Sequence, residues 1–459
     1  MVNTLYLPEL REMLAENNTE ELREFCTALH PARTADFMDG LTVDEAWQVL
    51  LNAEMPLRAE IFSFFDHERQ IEIIETQDRD QIAELIAESS PDDRVDVLAE
   101  VKDSIVEDIL PRVPIDERRD IMRLSAYPEE TAGAVMTTEV ARLSESLTVK
   151  QALDELARLA MEVETIYYLY IVDDSDHLRG IVSARQLIAT LKKPDTKLTD
   201  LMETEITVAN VSEDQEEVAN KVARMDLLAI PVVDDERRLV GIITHDDVID
   251  VMQEEAVEDA HQMGAVDPLD VGYMRTSFFT LSWKRGIWLT ILFFAALLTA
   301  FALLQYDRQI EQWAWLVPFI PLVISTGGNS GNQSATLIIT ALTQGDVTIS
   351  DWYRVVRREF LQGLVLGGFL AIIGYGFAAY MADPPKLYNA LVIPITLLMV
   401  VVTGTMSGSI LPIIFKRIGW NPALMSNPFV AGIVDILGIL IYMNVAILLL
   451  QSPEGGPPT

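Results

Sequence analysis

The sequence predicts a multidomain membrane protein with an all-α superhelical N-domain, an α/β pair of repeated modules and an α-helical membrane domain with five transmembrane helices. Short apolar stripes at helical spacing fill residues 1–130, and a strand–helix pattern occurs twice in residues 131–245. Long apolar runs then fill residues 271–450. Residues 246–270 are predicted as an acidic connector helix, and residues 451–459 as a short C-terminal tail.

The predicted N-domain consists of short helices in series. Apolar residues recur there at i, i+3 and i+4, the spacing of one buried helix face. Helices this short cannot bury their stripes alone, so we expect them to stack as a superhelix. The predicted helices cover residues 5–16, 19–29, 43–51, 58–65, 69–75, 79–88, 92–101 and 103–110, with Thr42, Ser90 and Ser104 as caps.

The repeated modules share landmarks in register. Met136 and Met202 stand near the starts of the two copies, and Gly180 and Gly241 begin their last strands. The pair resembles tandem CBS modules, at residues 131–197 and 198–245. The resemblance implies an adenosine nucleotide such as ATP between the copies, with its ribose held by an Asp after the last strand. Asp247 stands there in the second copy and Gln186 in the first, so we expect at most one nucleotide, at Asp247.

Acidic charge is concentrated before the membrane domain. The chain of 459 residues has a net charge of −36, whereas residues 1–270 alone contain 62 acidic and 24 basic side chains. Such a surface repels nucleic acid and attracts cations, although a generic acidic surface for solubility is an alternative. As a helix, the connector places Asp247, Asp250, Glu254 and Glu258 on one stripe. Their repulsion requires a cation or a basic partner surface.

The membrane domain is predicted to span the bilayer five times. The spans cover about residues 285–304, 313–342 with interruptions, 360–381, 388–415 and 422–450. Flanking bases number eight on one side and two on the other, which places the N-terminus in the cytoplasm and the C-terminus outside. The single cysteine, Cys26, is consistent with a reducing compartment for the N-terminal part, and the N-terminus lacks the pattern of a signal peptide.

Two features of the spans indicate cation chemistry. Asp435 is the only acidic or basic side chain of the last span, and intramembrane carboxylates are usually functional. The alternative is a protonated Asp435 hydrogen-bonded between helices. Residues 325–334 contain no apolar side chain, and their glycines, Asn329, Asn332 and Gln333 offer oxygen atoms to a ligand. Oxygen ligands suit Mg²⁺ and Ca²⁺, and the spans contain no His or Cys for zinc, copper or iron.

The order of these parts resembles the MgtE family of bacterial magnesium channels. The membrane signatures are Gly-Gly-Asn-Ser-Gly-Asn-Gln at residues 327–333 and Asn-Pro-Phe-Val-Ala-Gly-Ile-Val-Asp at residues 427–435. The resemblance implies a homodimer in the inner membrane with one Mg²⁺ pore, lined by Asp435 and, from the 327–333 loop, by Gly328 and Asn332. It also implies a cytoplasmic Mg²⁺ sensor that closes the pore. The matching acids are Asp247, Asp250, Glu255, Glu258 and Asp259 on the connector, Glu213, Asp214, Glu216 and Asp226 in the second CBS module, and Asp92 and Asp96 in the N-domain.

Other functions agree less well with the sequence. A membrane enzyme would need a catalytic constellation, and all five histidines precede the spans. A chloride channel is disfavoured by a carboxylate in the pore. A cation sensor with spans that serve only as an anchor would not need Asp435, and a less selective transporter of Mn²⁺, Co²⁺ or Ca²⁺ remains an alternative.

Overall fold

The computed structural model describes residues 5–160, 163–269, 273–274, 276–383, 386–424 and 427–450. Arg275 and the predicted tail lie outside the described residues. The chain divides into two compact units, Met1–Met252 and Gln253–Thr459.

Ten helices form the first part of the first unit. They are α1 (Leu7–Glu16), α2 (Thr19–Ala28), α3 (Pro31–Met38), α4 (Val43–Leu50), α5 (Met55–Ser63), α6 (His67–Thr76), α7 (Arg79–Glu88), α8 (Pro91–Glu100), α9 (Asp103–Ile109) and α10 (Ile115–Leu124). From α3 to α8, each helix packs against the helix two places further on, as expected for a superhelix. Thr42 caps α4 in a capping box, whereas the prediction of Ser104 as a cap was wrong because α9 already begins at Asp103.

The sequence prediction missed two of these helices. In α3 the buried residues are Thr34, Ala35, Phe37 and Met38, which do not form an aliphatic stripe. The sequence of α10 is dominated by charged residues, and only Ile121 and Leu124 are buried. Both helices depend on tertiary packing more than on a pattern visible in the sequence.

The repeated modules form two matching three-stranded sheets. The first module contains β1 (Arg142–Ser144), α11 (Val149–Leu159), β2 (Tyr168–Val172), β3 (Leu178–Ser183) and α12 (Ala184–Ala189). The second module contains β4 (Ala209–Asn210), α13 (Gln215–Met225), β5 (Ala229–Val233) and β6 (Leu239–Thr244), and α14 (His245–Met263) follows it. In each sheet the first strand pairs parallel and the last antiparallel to the middle strand.

The repeated methionines and glycines lock the two copies together. Thr137, next to Met136, exchanges backbone hydrogen bonds with Ile242 of the second copy at 2.8 and 3.0 Å. A β-carbon on Gly241 would lie 2.7 Å from the sulfur of Met136, and one on Gly180 would lie 2.7 Å from the sulfur of Met202. Each copy therefore requires glycine where the methionine of the other copy crosses its last strand, which explains why both residues recur.

Among its described residues, the second unit contains the end of α14 and seven further α-helices. They are α15 (Phe278–Leu304), α16 (Asp307–Gln312), α17 (Ile320–Thr343), α18 (Trp352–Met381), α19 (Lys386–Asn389), α20 (Val392–Arg417) and α21 (Asn427–Leu450). By length and composition, four described helical segments can cross a membrane, namely Phe278–Leu304, Ile349–Met381, Leu387–Arg417 and Asn427–Leu450. α20 packs against α17, α18 and α21, so it forms the centre of this unit.

Within the predicted second span, a 3-10 helix at Ala314–Phe319 precedes α17. The loop predicted at residues 327–333 is wrong, because α17 is one continuous helix of 24 residues through residues 325–334. Its glycines serve close helix packing. A β-carbon on Gly404 would lie 2.6 Å from the carbonyl oxygen of Gly327, and one on Gly408 only 2.2 Å from that of Gly331. The backbones of α17 and α20 therefore approach each other closely, and this packing offsets the cost of about 0.5–1 kcal/mol for each glycine inside a helix.

Candidate cation site

The carboxylate of Asp435 faces a part of α17 that has no side chain. A β-carbon on Gly328 would lie 3.5 Å from Oδ1 of Asp435 and 3.5 Å from Cβ of Ala431. Asp435 itself is half-buried, and it is the only acidic or basic side chain of α21. Glycine at position 328 thus keeps the space beside the carboxylate free of a side chain.

Asn332 adds a polar atom on the same face of α17. It follows Gly328 by four residues, so the two positions lie one helical turn apart. Its Oδ1 atom is shielded from solvent and accepts no hydrogen bond from the described residues. Buried polar atoms normally have a partner, so this oxygen is suited to accept a hydrogen bond from a water molecule around a cation.

Two further residues extend this arrangement. Thr336 follows Asn332 by another helical turn, and the side-chain amide of Asn427 donates to its hydroxyl at 3.1 Å. We call Gly328, Asn332, Thr336, Asn427 and Asp435 the polar row. Thr336 and Asn427 were not predicted from the sequence as site residues. The spacing of four residues from Gly328 to Asn332 and from Asn332 to Thr336 indicates one face of a helix. It was not used because these residues were expected in a loop.

The end of the connector helix lies near the polar row. Within the second unit, Met263 packs against a cluster of Ala335, Ile339, Ala423, Val430 and Val434, which come mainly from α17 and α21. Asn421 donates a hydrogen bond of 3.2 Å to the carboxylate of Asp259. The pKa of Asp259 lies above its usual value, because the effect of burial outweighs the opposing effects of the Asn421 hydrogen bond and the charge of Lys416. Asp259 is therefore held by neighbouring protein groups in the described structure.

The predicted acids Asp92 and Asp247 come together in the first unit. Oδ1 of Asp92 is buried and has no hydrogen-bond partner among the described residues. Burial and then the charge of Asp247 raise the pKa of Asp92 well above its usual range. Burial also raises the pKa of Asp247 to about 6, although Thr244 donates two hydrogen bonds to it at 2.6 and 3.1 Å.

Glu164 and Glu139 belong to the same group of charges and were missed in the sequence. Desolvation, followed by the charges of Glu139 and Asp247, raises the pKa of Glu164 to about 7. Glu164 precedes β2, outside any helical stripe, so its position had no signal in the sequence. We call Asp92, Glu139, Glu164 and Asp247 the acid cluster. Close carboxylates that resist ionisation together are stabilised by a proton or a cation.

Several of the other predicted acids have local roles in the fold. Glu213 pairs with Lys221, and Asp214 caps α13 by accepting from two backbone amides at 2.9 and 3.2 Å. Asp226 ends that helix with a left-handed backbone, and Glu258 accepts from Gln262. The remaining predicted acids are exposed or half-buried, namely Asp96, Glu216, Asp250 and Glu255. Within the described ranges, no three His, Cys, Asp or Glu side chains form a group that could hold a metal ion.

The CBS pair contains a cavity of about 540 Å³ lined by both copies. Gln186 of the first copy lines this cavity, whereas Asp247, the predicted ribose partner, is not among its lining residues. Gln186 donates to Glu203 at 3.2 Å. The hydroxyl of Tyr170, which also lines the cavity, is buried and unpartnered among the described residues.

Comparisons with known proteins match these parts in the same order. Family models match for the MgtE intracellular N domain at residues 29–130, CBS domains at residues 132–193 and 198–254, and the MgtE divalent cation transporter domain at residues 320–445. A magnesium transporter MgtE of Thermus thermophilus is 37% identical over 450 residues, which cover 96% of this chain and 98% of the relative.

Two solved structures are similar to about half of this chain. The crystal structure of the soluble part of a magnesium transporter is 33% identical with a TM-score of 0.51, covering 54% of this chain and 97% of that chain. The cytosolic domain of the Mg²⁺ channel MgtE in complex with ATP is 35% identical with a TM-score of 0.50, covering 53% of this chain and 98% of that chain. Since one relative matches almost from end to end and the family models match all three parts, the chain belongs to the MgtE family of divalent cation transporters.

Proposed function

We propose that this chain is a Mg²⁺-selective channel of the bacterial inner membrane, gated by cytoplasmic Mg²⁺. The observation that carries the proposal is the Asp435 carboxylate beside Gly328, where α17 offers no side chain to pair with it. The Oδ1 atom of Asn332, which has no hydrogen-bond partner among the residues that the structure describes, supports it. The protein of T. thermophilus that is similar over 96% of this chain is named a magnesium transporter.

A homodimer would place two copies of Asp435 around one pathway. Mg²⁺ loses its waters reluctantly, so the carboxylates would hold a hydrated ion through those waters. Such contacts discriminate by the size of the hydrated ion and still allow it to leave, as conduction requires. Gly328 would leave room for the hydration shell of the ion, and the Oδ1 atom of Asn332 would accept a hydrogen bond from one of its waters.

Gating would depend on the connector helix and the acid cluster. A ligand closes a channel only if it binds the closed state more tightly than the open state. Mg²⁺ would do so by neutralising acids that otherwise repel each other, including Asp92 and Asp247. The end of the connector, which packs beside α17 and α21 through Met263, is suited to transmit this change to the polar row.

An adenosine nucleotide is proposed for the CBS cavity. The cytosolic domain of a similar channel has been crystallised with ATP, and a volume of about 540 Å³ suits a small molecule. The buried hydroxyl of Tyr170 would hydrogen-bond to that ligand. Asp247, the ribose partner predicted from the sequence, accepts two hydrogen bonds from Thr244 at Oδ2 and is a second candidate contact for the nucleotide.

The topology would place the acidic N-domain in the cytoplasm and the C-terminus outside. The eight-to-two distribution of flanking bases supports this orientation. Four apolar helices together with α17 would give five spans, and α17 at 24 residues is long enough to cross the hydrocarbon core.

The proposal is tested by cation flux into liposomes that contain the purified full-length chain. We expect Mg²⁺ uptake that exceeds the uptake of Mn²⁺, Co²⁺ and Ca²⁺ and that falls when Mg²⁺ is present on the cytoplasmic side. Equal uptake of all four ions would favour the less selective transporter. Absence of flux from folded protein, together with Mg²⁺-dependent conformational change, would favour the membrane-anchored sensor.

A further inference from the structure

Glu359 is a buried carboxylate in α18 for which the proposed ion pathway has no role. Its relative exposure is only 8%. The hydroxyl of Ser334 on α17 donates to its Oε2 at 2.6 Å. Among the described residues, no lysine, arginine or histidine forms a salt bridge with this carboxylate. A buried acid in a membrane helix is costly, so its presence calls for a function.

Three helices meet closely at Glu359. The hydroxyl of Thr405 on α20 donates to the backbone carbonyl oxygen of Glu359 at 3.2 Å. One turn along α18, a β-carbon on Gly363 would lie 2.6 Å from that same hydroxyl and 2.9 Å from Cα of Val402. α18 and α20 therefore fit together with almost no free space, and they form a rigid base from which the Glu359 side chain reaches α17.

Ser334 lies on the face of α17 that points away from the cation site. At 3.6 residues per turn, Ser334 is rotated by about 200° from Asn332 and about 240° from Gly328. Gly328 faces Asp435 on α21, whereas Ser334 faces Glu359 on α18. A rotation of α17 that broke the bond at Ser334 would turn Gly328 and Asn332 away from α21.

We propose that Glu359 is a positioning residue of the cation pathway: by accepting the Ser334 hydrogen bond, it fixes the rotation of α17 that directs Gly328 and Asn332 toward Asp435. This inference rests on the proposed function, because it assigns a role in cation flux. Of these two serines of α17, Ser334 and Ser330, it is Ser334 that donates to Glu359. Ser330, one turn earlier, donates at 3.4 Å to the backbone carbonyl of Val401 on α20 instead.

The experiment measures Mg²⁺ and Ca²⁺ flux in liposomes for Glu359→Ala, Ser334→Ala, the double variant and Glu359→Gln. Removing either partner leaves the other unsatisfied, so Glu359→Ala and Ser334→Ala should each lower Mg²⁺ flux by at least about fivefold. They should also lower the ratio of Mg²⁺ to Ca²⁺ flux, which a simple loss of folded protein would not change. The double variant should be no worse than Glu359→Ala, because both changes remove the same bond.

Glu359→Gln keeps an acceptor oxygen and should retain more than half of the Mg²⁺ flux and the parental ion ratio. Ser330→Ala is the matched control and should leave both unchanged. Additive losses in the double variant, a parental ion ratio in Ser334→Ala, or a loss in Glu359→Gln as large as in Glu359→Ala would overturn the inference. Parental protein without flux would instead refute the proposed function.

Discussion

Asp435 is a carboxylate that forms no salt bridge with a basic side chain among the described residues. Gly328, which lies beside it on α17, has no side chain. At an effective dielectric constant of 20, one charge at 5 Å from a divalent ion is worth several kcal/mol. We therefore expect Asp435→Asn and Asp435→Ala to lower Mg²⁺ flux by more than about a hundredfold while the protein remains folded.

Mg²⁺ flux into liposomes, together with size-exclusion chromatography of the same protein preparations, would measure the loss of flux and show that the variants remain folded. The Asn variant is the stricter test, since it preserves the shape and removes only the charge. Parental flux in Asp435→Asn would show that Asp435 serves as a protonated hydrogen-bonding group between helices and not as part of the cation site.

Gly328 permits a separate test of the space beside Asp435. Its added β-carbon would make contacts of 3.5 Å, which a folded protein accepts, but it would occupy the face next to the carboxylate. We expect Gly328→Ala to keep or raise thermal stability and to lower Mg²⁺ flux by about tenfold, because alanine favours helix and the methyl group displaces hydration water. Gly368→Ala is the control, since a β-carbon there meets nothing within 4 Å. Equal flux in both variants would contradict a role for this face.

At the scale of elements, the acid cluster connects α8 of the N-domain to the start of α14. A carboxyl group whose pKa is higher in the folded state binds its proton more tightly there, so protonation stabilises the fold. That stabilisation is complete below the unfolded pKa of about 4 and is lost as pH rises through the folded values. Those values are about 6 for Asp247 and about 7 for Glu164.

In chelator, we therefore expect the unfolding temperature of a soluble fragment of residues 1–252 to rise by about 2–4 °C between pH 8 and pH 6. Saturating Mg²⁺ should remove this dependence, because the cation takes the place of the proton. Glu164→Gln should weaken it, whereas Glu107→Gln, on an exposed part of α9, should not. An unfolding temperature that falls over the same interval in chelator would mean that the acids do not repel each other in the folded protein.

Sequence patterns predicted elements well where one helix or strand carries its own signal. The predicted CBS strands were confirmed. Their Met and Gly landmarks recur because the methionine of each copy packs against the glycine in the last strand of the other. Eight N-domain helices were predicted from their apolar stripes. The helices α3 and α10 were missed because they lack a clear apolar stripe and are stabilised by packing against neighbouring helices. The helical state of residues 325–334 was hidden for a similar reason, since its glycines pack against Gly404 and Gly408 of α20.

The candidate site was partly predictable for the same physical reason. Asp435 is conspicuous in an apolar run, whereas Thr336 and Asn427 become relevant only once α17 and α21 are adjacent. Glu359 follows three arginines in the sequence and resembles a charge at the membrane surface, although it is almost fully buried. Burial depends on the arrangement of several helices, and no local pattern reports it.

At the scale of the whole molecule, the charge of residues 1–270 opposes compaction. These residues contain 62 acids and 24 bases, and the described acid cluster concentrates part of this charge between the N-domain and the CBS pair. Mg²⁺ can relieve the repulsion in two ways, by general screening or by binding at particular acids. Only binding at particular acids can give a gate that responds to Mg²⁺ and not to monovalent salt.

We expect a fragment of residues 1–270 to become more compact and more resistant to protease in about 10–20 mM Mg²⁺ than in chelator, because carboxylate sites of ordinary strength are then filled. NaCl at equal ionic strength should have less effect, since it screens charge without bridging carboxylates.

The double variant Asp92→Asn/Asp247→Asn should lose part of the Mg²⁺ response, whereas Glu107→Gln should keep it. If the double variant were instead compact in chelator, relief of repulsion would outweigh the loss of ligands, and the same variant should close the full-length channel at low Mg²⁺. Small-angle scattering and limited proteolysis of the same samples distinguish these outcomes, and an identical response to Mg²⁺ and NaCl in the parent would argue against a specific Mg²⁺ sensor.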